Sequence, residues 1–457
     1  MDFSRNCIFI DEAGFDINRR ASRAWAPMVW GCFWGRDFGP LEMIDTSSIN
    51  QETHINILAN RGFEYWPIEH VWNALERQIE RKRSSVKNLQ QLKVALQEEW
   101  ERPDDGFADR LVHLLRYVVD GVDVSSCFHK YQVLFRDQIG SSGVVFEKHF
   151  HQILSLSSIL LLQKNYNNDD LASCFVGKSL EVVRSRVKEG LSTYNYGVPY
   201  GKMIPILLIV EQVYDRSISR EQGCFKMDQA ILESSGIEKA IIKFFKKMIE
   251  TFPMDDLEET IKEDDLKSRF ILPIIQSLFD DIDSSNTFYF KISNENNHEC
   301  QSKQFDISRR RPDGYFRANR NGSMVTIGFF EAKSASQKND AKKIQYDLVR
   351  LGVFGKNAID IHRLGSSFLI QAVGTKMSFY IMQKKSNDVY IMVELDTFTF
   401  PSTVNGIPAV FGYINRIAKI VGIFNDIVKV IDPVQDGQGK VRQSLRSPII
   451  RGLTLPK

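Results

Sequence analysis

The chain lacks any CxxC pair, and none of its six cysteines (Cys7, Cys32, Cys127, Cys174, Cys224, Cys300) has a histidine nearby at ligand spacing. That scatter excludes a zinc finger and a secreted disulfide scaffold. A strong excess of one charge sign is missing too, since the net charge is only +2. Contact with a polyanion therefore has to run through local basic patches. No apolar leader opens the sequence: Met1 is followed by Asp2, Arg5 and Asp11. The most apolar stretch reads as 203–210, well short of the ~20 residues that cross a bilayer. Together these absences set the expectation of a soluble, reduced protein of the cell interior without membrane association.

What is present is ordinary for a globular chain, with 43% apolar and 25% charged residues. The 457 residues leave room for two to four domains at roughly 100–200 residues each. Residues 1–66 read as short strands (7–10, 28–34, 41–44) parted by Gly, Pro and Asp turns. After Pro67 the apolar spacing turns helical, with Val71, Leu75 and Ile79 four apart and Leu89, Leu92 and Leu96 following. The run Pro103-Asp104-Asp105-Gly106 breaks that pattern. From 107 to 250 the signals are helical (111–119, 146–162, 180–187, 204–213, 237–249). Within this block His149 and His151 stand two apart, so a helix points them to different faces and they make a poor metal pair. From 251 to 433 helix and strand alternate. Helix is expected over 263–281 and 340–351, and strand over 287–293, 312–316, 325–332, 368–373 and 390–395. The Gly-, Ser- and Arg-rich stretch 434–457 reads as a flexible tail.

Two sets of carboxylates carry the chemistry. In the first, Ile8-Phe9-Ile10-Asp11-Glu12-Ala13-Gly14-Phe15 is an apolar strand ending in an acidic pair. It is followed by Val29-Trp30-Gly31-Cys32-Phe33, Gly39-Pro40-Leu41, Trp66-Pro67-Ile68-Glu69-His70-Val71-Trp72 and Leu96-Gln97-Glu98-Glu99-Trp100. This order of motifs resembles Tc1/mariner transposases over about residues 6–102. The resemblance implies an RNase H-like fold in which three carboxylates hold two Mg²⁺ ions that act on a phosphodiester. It makes Asp11 the first of the three and Glu69 the third. The second aspartate and its strand are missing, because Asn60-Arg61-Gly62-Phe63-Glu64-Tyr65 runs straight into the Glu69 motif. The segment is therefore expected to be a truncated remnant without transposition activity.

In the second set, Arg311-Pro312-Asp313-Gly314-Tyr315 precedes Gly328-Phe329-Phe330-Glu331-Ala332-Lys333. Residues two apart on a strand share a face, so Glu331 and Lys333 project together with Ile327 and Phe329. The pattern resembles the PD-(D/E)xK nuclease signature. That resemblance implies a restriction-endonuclease-like domain in which Asp313 and Glu331 are ligands of Mg²⁺ or Mn²⁺ and Lys333 positions the attacking water. The helix from Glu263 to Ile275 is similar to the opening helix of nuclease domains in type I restriction enzyme subunits, which makes Glu263 an auxiliary acid. Gln345 matches a polar position beside the metal in some relatives. The basic residues Arg309, Arg310, Arg311, Arg317 and Arg320 beside this site favour a phosphate-backbone partner.

The expected architecture is thus a multidomain chain of mixed α+β and α/β class. It comprises a truncated RNase H-like segment (1–102), a helical region (103–250), a PD-(D/E)xK-like domain (251–433) and the tail (434–457). The expected function is transposon-derived nucleic-acid processing, DNA first, with the nucleus as one compartment compatible with it. The alternative is a non-catalytic nucleic-acid-binding or interaction protein of transposase descent.

Overall fold

The computed structural model describes residues 8–14, 28–34, 37–44, 89–100, 117–142, 145–164, 169–175, 179–191, 196–256, 261–282, 287–293, 311–320, 322–386 and 389–428. The chain forms two compact units, Met1–Arg116 and Tyr117–Lys457.

In the first unit, strands β1 (Ile8–Gly14), β2 (Met28–Trp34) and β3 (Asp37–Ile44) make an antiparallel meander in the order β1-β2-β3. Helix α1 spans Leu89–Trp100. Strand β2 pairs antiparallel with β3, and Gly31 of β2 sits opposite Asp11 of β1.

The second unit opens with a two-strand ribbon, β4 (Val118–Val119) and β5 (Val122–Asp123), then helices α2 (Val124–Ser142) and α3 (Phe146–Ser155). Strand β6 (Ile159–Leu162) follows, then α4 (Asp169–Cys174), α5 (Ser179–Gly190), α6 (Tyr200–Tyr214), α7 (Arg220–Leu232) and α8 (Gly236–Thr251). A helical turn at Glu263–Asp265 and a π-helix over Leu266–Ile271 lead into α9 (Leu272–Phe279). Pro273 explains the wide turn, because it has no N–H to donate and its ring crowds the carbonyl four residues back. Then come β7 (Phe288–Ile292), β8 (Gly314–Arg320), β9 (Ser323–Lys333), α10 (Ala341–His362), β10 (Ser366–Val373), β11 (Lys376–Ser386), β12 (Val389–Thr399) and α11 (Ile414–Ile423).

Seven of these strands form one mixed sheet in the order β6-β12-β11-β10-β9-β8-β7. Neighbours are antiparallel except β9 with β10 and β12 with β6, which are parallel. A parallel neighbour needs a crossover, and α10 provides it between β9 and β10. One face of the sheet packs under α10 and α3. The opposite face carries an aromatic cluster in which Phe279 of α9 touches Phe316, Phe368, Phe379 and Phe424 at ring-centroid distances of 5.0–6.4 Å.

Several expectations change here. Within the expected helical region 103–250, residues 117–250 fall in the second unit, and strand β6 among them extends its sheet. The stretch 146–162, expected as one helix, is a helix and then a strand. A four-residue apolar run such as Ile159–Leu162 gives no period that separates the two. Helix α10 runs 11 residues beyond its expected end at 351 because Gly352 reads as a stop. It is instead a contact, since a Cβ there would lie 2.7 Å from Leu154 Cδ2 of α3. Strand β11 was not anticipated, although the two-residue turn before it has Gly374 at φ +58°, a position where such turns need glycine. Among the described residues one helical run, Ile407–Asp426, is long and apolar enough to cross a membrane by length and composition alone, and more than half of it is buried inside this unit. The expected tail 434–457 lies outside the described residues, as do Glu69, Arg309 and Arg310.

Candidate functional site

The acids of the second set meet at the carboxyl end of β9. Antiparallel register pairs Gly314 with Phe330, so Asp313, one residue earlier, falls opposite Glu331. The Ala332 N–H donates to Asp313 Oδ2 at 2.8 Å, which fixes that carboxylate against the strand carrying Glu331. Strand alternation turns Phe329, Glu331 and Lys333 towards α10, where Phe329 meets Phe354. Phe330 goes to the other face, against Phe290.

Asp340 precedes helix α10, where its side chain accepts from the Lys343 N–H and caps the first turn. Two turns on, Asp347 and Arg350 lie at i,i+3 and point back at β9. Lys333 Nζ pairs with Asp347 Oδ2 at 2.7 Å and donates to the Ala332 carbonyl at 3.1 Å. Arg350 Nη1 donates to Asp347 Oδ1 at 3.2 Å, and its Nη2 lies 3.0 Å from Glu331 Oε1. The same Nη2 donates to the Arg311 carbonyl. On the upstream helix Lys267 donates to Glu263 Oε1 at 2.7 Å and to Asp313 Oδ1 at 2.8 Å.

Glu331 is the extreme member of this group. It is 1% exposed, and among the described residues neither carboxylate oxygen has a hydrogen-bond partner, Arg350 being an ion-pair neighbour. Burial, reinforced by Asp347 and Asp313 and only partly opposed by Arg350 and Lys333, pushes its carboxyl well above the usual carboxylate range. Burial also raises the Asp347 carboxyl, against the pull of Lys333 and Arg350. The cations go the other way. Burial works against the Lys333 ammonium, but Asp347, Asp313 and Glu331 outweigh it and hold its pKa above the ordinary lysine value. Lys267 is raised in the same manner, burial being outweighed by Asp313 and Glu263.

Of the residues expected at this site, Asp313, Glu331, Lys333 and Glu263 belong to one charged cluster, although Glu263 reaches Asp313 only through Lys267. Among the described residues no three Asp, Glu, His or Cys side chains stand close enough to hold a metal ion between them. Asp347, Arg350 and Lys267 were missed. Their only signals in the sequence are helical spacings, Glu263 to Lys267 and Asp347 to Arg350. Of the basic patch, Arg317 donates to the Met324 carbonyl at 3.3 Å and lies over the Tyr315 ring, while Arg320 donates to the His362 carbonyl at 2.7 Å. Both side chains are half-buried with a partner in the fold, and Arg311 alone of the described members is exposed.

The histidine pair separates as its spacing requires. His149 Nδ1 accepts from the Val145 N–H at 3.0 Å, while His151 is buried with Nε2 3.2 Å from Gln163 Oε1. Burial lowers the His151 pKa to about 3, so the ring is neutral. No protein-family model, curated protein or solved structure matches this chain.

Proposed function

We propose that the second unit is a metal-dependent nuclease of the PD-(D/E)xK kind, cleaving phosphodiester bonds of nucleic acid, with DNA as the first substrate to test. The observation that carries the reading is the buried Glu331 carboxylate, whose Oε1 has the Arg350 ion pair alone and whose Oε2 has no hydrogen-bond partner among the described residues, while Asp313 stands opposite and Lys333 shares its strand face. A buried carboxylate so sparsely paired is costly unless it takes up a proton or a group from outside the chain completes its shell. The element order from 263 to 373 (helix, three antiparallel strands, helix, parallel strand) is the order that the resemblance calls for, and it supports the same reading.

The fit to Mg²⁺ or Mn²⁺ is a two-carboxylate one, Asp313 with Glu331. That is enough for Mg²⁺, which is commonly held by one or two carboxylates with water and substrate phosphates completing the shell. When bound, a divalent ion supplies Lewis-acid stabilisation of phosphate charge and lowers the pKa of a bound water. The chain's own residues do the positioning. Asp313 is locked by the Ala332 N–H, and Glu331 is held beside the Arg350 guanidinium. Lys333, kept protonated by Asp347, places a positive charge where it can orient water and stabilise the charge that develops on the phosphate.

One observation favours the rival reading, a non-catalytic binding domain: Lys267, Lys333 and Arg350 already sit as cations beside all four acids. Plasmid nicking separates the two. The nuclease reading expects Mn²⁺-dependent nicking that is lost in Glu331→Gln and strongly slowed in Lys333→Ala. DNA binding without nicking in the wild type favours the rival. For the first unit we propose descent from a transposase without transposition activity. Transposon-end DNA incubated with Mn²⁺ is expected to give no product that depends on Asp11.

A further inference from the structure

We infer that Lys267 is a tethered cation of the acid cluster, which holds Glu263 and Asp313 in the metal-free protein and competes with a divalent ion for them. The inference rests on the metal-site reading above and adds a regulation to it.

The geometry is that of an occupant rather than of a surface ion pair. The Lys267 ammonium donates to two carboxylates from different elements, at 2.7 and 2.8 Å, and the residue is only 9% exposed. Exposed pairs gain little because water competes for both partners, whereas this ammonium is shielded. It comes from the π-helical segment one turn after Glu263, a kind of distortion that recurs at functional sites. The cluster is then unevenly satisfied. Lys267 serves Glu263 and Asp313, while the deeper Glu331 has the Arg350 ion pair but no hydrogen-bond donor among the described residues. Four carboxylates (Glu263, Asp313, Glu331, Asp347) face three cations (Lys267, Lys333, Arg350), so the formal balance is one negative charge. A divalent ion shared by Asp313 and Glu331 stands close to the Lys267 ammonium and repels it. Lys267 must loosen its hold on Asp313 as the ion enters. It therefore sets the ion concentration at which the site fills and keeps Glu263 and Asp313 from repelling each other while it is empty.

The test uses the full chain and Mn²⁺ alone, with titration calorimetry and thermal melting on wild type, Lys267→Met, Lys267→Arg and Glu331→Gln. Removing the tethered charge in Lys267→Met is expected to tighten Mn²⁺ binding about tenfold and to enlarge the Mn²⁺-induced rise in Tm. A wild type that binds no Mn²⁺ beside a Lys267→Met protein that does, through Glu331, supports the inference as well. Binding by Lys267→Met that is no tighter than wild type overturns it while leaving the metal site standing. Mn²⁺ binding that is absent in every form, or unchanged in Glu331→Gln, removes the metal-site reading and the inference with it. Should Lys267→Met fail to fold, Lys267→Arg keeps the charge, and its Mn²⁺ binding must be no tighter than wild type. Tighter binding there overturns the inference.

Discussion

The two faces of the seven-stranded sheet are built by different chemistry, although the same strands supply both. Under α9 and α11 the sheet presents Phe316, Phe330, Phe368 and Phe379, joined by Phe279 and Phe424. Under α10 and α3 the same strands present Glu331, Ser367, Gln371, Tyr380 and Glu394, met by Asp347, Arg350 and His151. On β9 the change falls between neighbours, since Phe330 faces one layer and Glu331 the other. Burying charge costs free energy that apolar packing does not, and replacing such groups by well-packed hydrophobic residues is often neutral or stabilising. The polar face is therefore where chemistry is to be sought, and the aromatic face is what keeps the unit folded around it.

Breaking the aromatic face should have the largest effect. Phe279→Ala removes a ring that touches four others and is expected to cost about 3–5 kcal/mol in chemical denaturation, with Mn²⁺ binding retained in the fraction that stays folded. A loss below about 1 kcal/mol would remove the contrast between the faces.

On the polar face, Arg350→Met should come next, at about 3 kcal/mol, because it leaves Glu331 and Asp347 buried without their shared cation. The cost stays at the low end of the range because both carboxyls already tend towards the protonated form.

A pH titration sharpens the comparison further. His151 is protonated near 6.5 in the unfolded chain but only near 3 when folded, so the unfolded state binds more protons between those values. Its contribution to stability is therefore complete above pH 6.5 and is lost as pH falls towards 3. The difference between wild type and His151→Gln should change by about 1.4 kcal/mol per pH unit within that window. A flat difference would mean that the ring is not buried in its neutral form.

How much of this could be read from the sequence depended on how local the cause was. The order of elements from 263 to 373 follows from hydrophobic period and turn residues, and Glu331 and Lys333 share a face by strand alternation alone. The counter-ions were not legible, because Asp347 and Arg350 reach β9 only through the docking of α10, which no local spacing encodes. The end of α10 was misread for the same reason: Gly352 is a stop signal in isolation and a close contact with Leu154 in the fold. Strand β6 was missed because an edge strand borrowed from 159–162 depends on β12, more than 200 residues later.

The smallest effect on metal-free stability is expected for Glu331→Gln, under about 1 kcal/mol, because the amide loses the attraction of Arg350 but also the penalty of a buried charge. That makes it the right variant for the most direct test of the central claim, thermal melting of the full chain with and without Mn²⁺. An ion that binds only the folded state raises Tm by mass action. The account predicts a Mn²⁺-dependent rise for wild type and none for Glu331→Gln. No rise in wild type and Lys267→Met alike, or an equal rise in wild type and Glu331→Gln, would contradict it.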